Sequence, residues 1–153
     1  MALVQQGDWE GCSIMKKILV TGGAGFVGSH LCEGLLRKNY SVFSLDNYSS
    51  GTLNNHIEGV AYFTGDTQHI AGIFKDQKID VIFHLGEYPR VERSFEDIDL
   101  VFDYNWNSIY AVLKFAKEKK AKIIYSGSST KFGDKGTTIH QSPYAFVKHT
   151  NCE

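Results

Sequence analysis

Two groups of residues in this chain have types and spacings that could do chemistry together. Tyr144 and Lys148 stand four apart in Pro143-Tyr144-Ala145-Phe146-Val147-Lys148. On a helix that spacing turns a phenol and an ammonium to one side. An ammonium so placed, helped by a nearby oxidised nicotinamide, would lower a phenol pKa from its ordinary value of about 10. A phenol tuned in this way can take the proton of an alcohol while hydride leaves the same carbon. Far upstream, Thr21-Gly22-Gly23-Ala24-Gly25-Phe26-Val27-Gly28-Ser29-His30 follows the apolar run Ile18-Leu19-Val20. It reads as Gly23-x-Gly25-x-x-Gly28 and equally as Gly22-x-x-Gly25-x-x-Gly28. Glycines there permit a tight turn, close approach of backbone to phosphate, and close packing of a helix on a strand. The helix starting at Gly25 then aims free amides and its dipole at a pyrophosphate. A glycine turn followed by a phenol–ammonium pair points to nicotinamide chemistry on a hydroxyl.

Two further groups support that order. Asp46 lies 18 residues beyond Gly28, where a carboxylate accepts hydrogen bonds from the adenosine ribose hydroxyls of NAD. A phosphate on that ribose would be repelled, and no Arg follows in Asn47-Tyr48-Ser49-Ser50-Gly51. The expected cofactor is therefore NAD rather than NADP. Downstream, Ser126-Gly127-Ser128-Ser129-Thr130 ends an apolar run. Ligands bind at the carboxyl ends of strands in open α/β sheets, so a hydroxyl there can complete a Ser-Tyr-Lys set.

The elements that must hold these residues are legible as an alternation. Residues 17–21, 41–45, 60–64, 80–85 and 122–126 read as strands. Residues 25–38 read as a helix with Val27, Leu31 and Leu35 on its apolar stripe, and 67–76 as a short helix. Residues 95–119 read as the longest helix, with Ile98, Phe102, Ile109, Leu113 and Ala116 inward and lysines at its negative end. A last helix begins near Pro143, since Pro is tolerated in a first turn. Strands alternating with helices predict parallel βαβ units, that is, an α/β Rossmann-like doubly wound parallel sheet of about five strands.

Composition sets the frame around this reading. The 153 residues are 42% hydrophobic and 22% charged, ordinary values for one domain with a proper core. A net charge of −1 gives no reason to expect nucleic acid or an anionic membrane as partner. No apolar stretch approaches the roughly 20 residues that span a bilayer. Cys12, Cys32 and Cys152 are odd in number, widely spaced and without metal-ligand spacing, which suggests free thiols in a reducing, cytoplasmic setting. Residues 1–14 lack the basic start and apolar core of a signal peptide. Met15-Lys16-Lys17 reads as a natural start, so 1–14 are expected to be an extension or tag and 15–153 the domain.

Taken together, Gly22–His30, Asp46-Asn47, Gly65-Asp66, His84-Leu85-Gly86, Ser128 before Phe132-Gly133-Asp134, and Ser142-Pro143-Tyr144-x-x-x-Lys148 resemble the extended short-chain dehydrogenase/reductases. The nearest group is the NAD-dependent nucleotide-sugar epimerases and dehydratases typified by UDP-glucose 4-epimerase. The resemblance covers 15–153, the N-terminal half of such an enzyme, with the C-terminal substrate domain absent, and implies little turnover by this chain alone. It implies that Phe26 and Val27 touch the pyrophosphate and that Asp66 and Thr67 meet the adenine. Leu85, Gly86 and Tyr88 would line the cofactor, and Asn105 would lie near its nicotinamide end. Ser128 would hydrogen-bond the reacting hydroxyl, and Lys148 would also reach the nicotinamide ribose. A nucleotide sugar is the implied partner, and pairing of two copies through helices 95–119 and 143–153 is common in the family. Phe102, Trp106 and Tyr110 would serve such a face.

The chain departs from that pattern in several places. Glu87 stands where the family usually has a small residue, and would crowd or recharge the nicotinamide pocket. The usual Asn-x-x-Gly-Thr becomes Asn105-Trp106-Asn107-Ser108-Ile109, the Val-Tyr-Gly becomes Lys131-Phe132-Gly133, and the loop from Gly133 to Tyr144 is short. Three functions stay open: an epimerase, a nucleotide-sugar dehydratase or decarboxylase, and a non-catalytic NAD-binding module. Dehydratases of the family place Asp-Glu directly after the catalytic Thr, and decarboxylases keep the Glu. Ser129-Thr130 supply no such acid, which favours epimerisation.

Overall fold

Ile18, Leu19, Val20 and Thr21 are all buried, so strand β1 (Lys17–Thr21) has no solvent face over those residues. A strand covered on both sides sits in the middle of a parallel sheet. Its neighbours are β2 (Ser41–Asp46) and β4 (Val81–His84), both parallel to it. β3 (Ala61–Thr64) and β5 (Lys122–Tyr125) complete the order β3-β2-β1-β4-β5, again by parallel pairing. This computed structural model describes residues 15–132 and 142–152. The expected 1–14 extension, the side chains of Lys131 and Phe132, and most of the 133–144 loop lie outside the described residues.

Alternation along β1 sends its side chains into two cores. Leu19 packs with Leu45, Ile82, Ile109, Val112 and Phe115 beneath helix α4 (Ser108–Lys119). Ile18 and Val20 pack with Val42, Cys32 and Leu35 beneath helix α1 (Phe26–Leu36). Helices on opposite faces make the sheet doubly wound, as the alternation of elements predicts. Burial pushes the Cys32 thiol up to about 12, so it stays protonated. Among the described residues, no helix is long and apolar enough to cross a membrane.

Two helical stripes differ from the sequence expectation. In α1 the buried positions are Gly28, Ser29, Cys32 and Leu35, whereas Val27 is 64% exposed. Close packing at Gly28 rotates the inner face away from Val27, which stands at the mouth of a cleft instead. The expected 95–119 helix is broken into a 3-10 turn (Glu92–Phe95), α3 (Ile98–Val101), a π-helical segment (Phe102–Asn107) and α4. The wider turn shifts the inward phase to Val101, Asn105, Ser108, Val112 and Phe115. Ile98, Phe102 and Leu113, expected inside, are consequently exposed, together with Trp106 and Tyr110. The expected 67–76 helix is a 3-10 turn (Thr67–His69) running into one turn, α2 (Ile70–Ile73). The last helix, α5, spans Pro143–Thr150, with the Ser142 hydroxyl accepting from the Ala145 amide at 3.1 Å.

Strand register brings Leu45, Thr21, His84 and Tyr125 side by side at the carboxyl edge of the sheet. The Thr21 hydroxyl accepts the Leu85 and Gly86 amides at 3.2 and 3.0 Å. Both its lone pairs are then used, so its own proton goes to His84 Nδ1, 2.7 Å away. The imidazole proton therefore sits on Nε2, which is buried without a hydrogen-bond partner among the described residues. Burial, helped by the nearby Lys148 charge, holds the His84 pKa down at about 3. The folded protein binds fewer protons here than the unfolded chain, so stability is complete above the ordinary value of 6.5 and declines as pH falls toward 3. Urea unfolding as pH falls from about 6.5 to 5 should show a loss from this group that steepens toward about 1.4 kcal/mol per pH unit. His84→Asn, which keeps an acceptor for Thr21 but does not titrate, should flatten the slope.

Candidate functional site

The glycine turn is shaped by contacts that leave no room for side chains. Gly22 takes φ +74°, and a Cβ there would lie 2.9 Å from the Gly86 backbone. A Cβ on Gly28 would lie 2.0 Å from the Gly22 carbonyl oxygen. Of the two glycine readings, the one starting at Gly22 thus contains both positions that backbone geometry enforces. The first intrahelical bond of α1 runs from the Ser29 amide to the Gly25 carbonyl at 2.9 Å. The amides of Phe26, Val27 and Gly28 precede it, and no side chain caps them. They face a cleft flanked by Phe26, itself 78% exposed.

That cleft opens where β2 and β4 diverge from the end of β1. Its walls include Gly22, Gly25, Phe26, Val27 and Gly28 on one side, and Asp46, Asn47, Asp66 and Thr67 on another. Leu85, Gly86 and Glu87 close the third side. Asp46 is buried and held by two amides: Ala24 N–H donates to Oδ2 at 2.9 Å and Tyr48 N–H to Oδ1 at 2.8 Å. Each carboxylate oxygen keeps a second lone pair, so the group is fixed yet able to accept from a ligand. The Asn47 amide donates to Asp66 at 2.7 Å and accepts from the Ser49 amide at 3.0 Å, setting the loop after β2 against the turn after β3.

Tyr144, Lys148 and Ser128 come together beyond Glu87. Ser128 hydrogen-bonds the Tyr144 phenol, and its hydroxyl also meets Thr130 at 2.9 Å. Lys148 is 3% exposed and fixed in α5. Its ammonium makes an ion pair with Glu87, whose side chain is 6% exposed, and donates to the Ser126 carbonyl at 2.5 Å. Other groups govern the Tyr144 phenol in this arrangement. Burial pushes Tyr144 above its ordinary value, the Ser128 hydrogen bond pulls it down, and the Glu87 charge adds to the rise. The carboxylate has taken the ammonium for itself.

Two residues expected along a cofactor make contacts within the fold. Tyr88 turns its hydroxyl to Asp97, donating at 2.5 Å, and is not among the cleft-lining residues. Asn105 is fully buried in the π-helical segment. Its Oδ1 accepts the Tyr88 amide at 2.6 Å, its Nδ2 donates to the Tyr88 carbonyl at 3.1 Å, and its own carbonyl accepts from Asn151 at 2.9 Å. Asn105 thereby braces the segment after β4 and the end of α5. Sequence reasoning missed Ser49, Ser50, Pro89, Tyr104 and Ser108 in the cleft walls. It also missed Tyr125, which donates to Glu87 at 2.9 Å. Nothing in their local pattern marks them, except that Tyr125 ends a strand at the ligand-bearing edge.

A parallel sheet with a glycine turn at its central strand and an acid at the end of the next defines a Rossmann-like α/β domain. The chain belongs to the NAD dependent epimerase/dehydratase family, which it matches over residues 18–152. It is 33% identical over 133 residues to UDP-glucose 4-epimerase of Neisseria meningitidis serogroup C, covering 80% of this chain and 39% of that protein. It is 36% identical over 134 residues to a UDP-N-acetyl-alpha-D-glucosaminuronate decarboxylase of Bacillus cytotoxicus, with the same coverage of 80% and 39%. A crystal structure of UDP-glucose 4-epimerase from Bifidobacterium longum in complex with NAD+ and UDP superposes with a TM-score of 0.79 at 29% identity. That match covers 89% of this chain and 47% of the other. The chain thus spans about two fifths of the length of the curated relatives it matches.

Two glycines of α1 allow the turn geometry to be tested within one helix. Gly28→Ala places a methyl group on the Gly22 carbonyl and should destabilise the chain by about 3 kcal/mol. Gly34, with nothing within 4 Å of its Cβ direction, should stabilise by roughly 0.5–1 kcal/mol when changed to Ala. Thermal unfolding of the two variants beside the parent chain measures both signs.

Proposed function

We propose that this chain is the NAD-binding part of a nucleotide-sugar epimerase that works by transient oxidation of a sugar hydroxyl. The observation that supports it most is the convergence, at one edge of the sheet, of the open amides after Gly25, the fixed Asp46 carboxylate and the Ser128–Tyr144 bond. These residues fit a dinucleotide: the cradle at Gly22 and Gly28 admits backbone but no Cβ, and the helix amides beyond it lack partners within the helix. NAD would supply the hydride acceptor and donor. Phe26 and Val27 would cover its pyrophosphate, Asp46 and Asn47 would meet the adenosine ribose, and Asp66 and Thr67 the adenine. Leu85 and Gly86 would lie along the cofactor on the β4 side.

Tyr144 takes the proton of the reacting hydroxyl, and Ser128 steadies that hydroxyl by hydrogen bonding. Lys148 lies below them and fixes the carboxyl end of β5 through the Ser126 carbonyl. Ser129 and Thr130 after the catalytic serine supply no carboxyl group to protonate a leaving hydroxyl, which favours epimerisation over elimination. The oxidised sugar would turn over in the site and take hydride back on its other face, so cofactor is restored in each cycle.

Calorimetry on this chain should show NAD binding more tightly than NADP, with Asp46→Ala weakening NAD and relaxing the preference. Tighter NADP binding would reverse the assignment. On a chain of the relatives' full length, a panel of nucleotide hexoses should yield an epimer without net NADH. Tyr144→Phe should then lower turnover by about a hundredfold or more. Release of a 4-keto-6-deoxy sugar would make the enzyme a dehydratase.

A further inference from the structure

The cleft wall holds an acid that the chemistry just described leaves unused. Glu87 follows Gly86 directly, its amide donating to the Leu85 carbonyl at 2.9 Å, and that short turn directs its side chain beneath the cleft. There it meets groups from two other elements. Lys148 of α5 pairs with Oε2, and Tyr125 of β5 donates its hydroxyl to Oε1 at 2.9 Å. Asn151, just beyond α5, hydrogen-bonds the same carboxylate and donates to the Tyr125 hydroxyl at 3.2 Å. The Lys148 ammonium is equally occupied: besides Glu87 it serves the Ser126 carbonyl, and it lies 4.3 Å from the centroid of the Tyr125 ring. An ammonium has three donors, so little is left to extend toward a ligand while Glu87 holds its place.

The remaining titratable neighbours carry no charge that competes. His84 from β4 is neutral, the Tyr125 phenol is pushed far up by burial and by Glu87, and Tyr144 is raised as well. Cys152 acts on the Tyr125 phenol only through space, as the smallest of the influences that raise it. A buried ion pair gives little net stability over an apolar pair of the same volume. Its local consequence is electrical.

We propose that Glu87 is a positioning residue of the Tyr144 site, holding Lys148 in a buried ion pair that withholds the ammonium's charge from the phenol. Of the pair, the Glu87 charge is what reaches Tyr144, and it raises the phenol, whereas a lone ammonium four residues away would draw the phenol toward ionisation. This rests on the reading of Tyr144 as proton acceptor. NAD affinity and turnover test that reading, while titration of the phenol in the unliganded chain tests Glu87 by itself.

Tyrosinate absorbance is followed against pH in the parent chain, with Tyr144→Phe identifying which step belongs to Tyr144. Glu87→Gln should lower the Tyr144 midpoint by about one pH unit or more. Glu87→Asp, which keeps the charge, should leave the midpoint nearer the parent value. A midpoint unmoved or raised in a folded Glu87→Gln chain overturns the proposal, because a merely structural ion pair would change stability without moving the phenol. Should the lone ammonium unfold that variant, Glu87→Gln combined with Lys148→Gln leaves no unpaired buried charge. The double variant, which loses the Glu87 charge but exposes no ammonium, should then titrate between the parent and Glu87→Gln. A double variant that titrates with Glu87→Gln would show that loss of the Glu87 charge alone moved the phenol, and would sink the idea.

Discussion

At the end of β1 three stretches of backbone press together without side chains between them. Gly22 turns back with positive φ, Gly86 passes against it, and Gly28 brings the first turn of α1 onto the Gly22 carbonyl. Thr21 locks the arrangement by accepting two amides from the β4 side and passing its proton to His84. Every other feature of the cleft is measured from this contact. It sets how near α1 comes to the sheet, where the open amides point, and how far the chain after β4 can swing before it reaches Glu87.

Beyond that contact the site is governed by charge rather than shape. Asp46 stays at the cleft because two amides hold its oxygens. Glu87 and Lys148 neutralise each other a few residues from the phenol. A buried, nearly neutral polar cluster is costly if any member lacks its partner. Its members come from β4, β5 and α5 and are tied together through Asn105 and Asn151. Ser128, Tyr144 and Lys148 therefore depend on the packing of the π-helical segment as much as on their own helix.

Much of this was legible in the sequence. The parallel sheet, the glycine turn and the acid after β2 each follow from local signals: apolar runs, glycine spacing and an offset of 18 residues. The Tyr-Lys helix was marked by Pro143, and the structure adds the Ser142 hydroxyl that caps it. What escaped depended on tertiary context. Val27 and Leu113 fit apolar stripes by spacing, yet the stripe is decided by where the helix touches the sheet. Close packing at Gly28 and the wide turn at 102–107 moved those contacts. The family resemblance set Asn105 near the nicotinamide end, and its side-chain amide is engaged by the Tyr88 backbone. Glu87 stood out as an unusual residue, while its engagement with Lys148 joins positions 61 apart and has no local signature.

The segment Phe102–Asn107 is, in helical terms, a surplus residue that the chain has kept. A helix advances by about 100° per residue, so excising one residue would restore a continuous cylinder and swing everything before it by roughly that angle. Val101 would leave the core, and the anchor that Asn105 gives to Tyr88 would be torn from its place. Length in this stretch thus matters to the architecture in its own right: a change at exposed Phe102 or Trp106 alters one side chain, whereas a single-codon deletion amounts to a quarter-turn of the scaffold beneath the cleft.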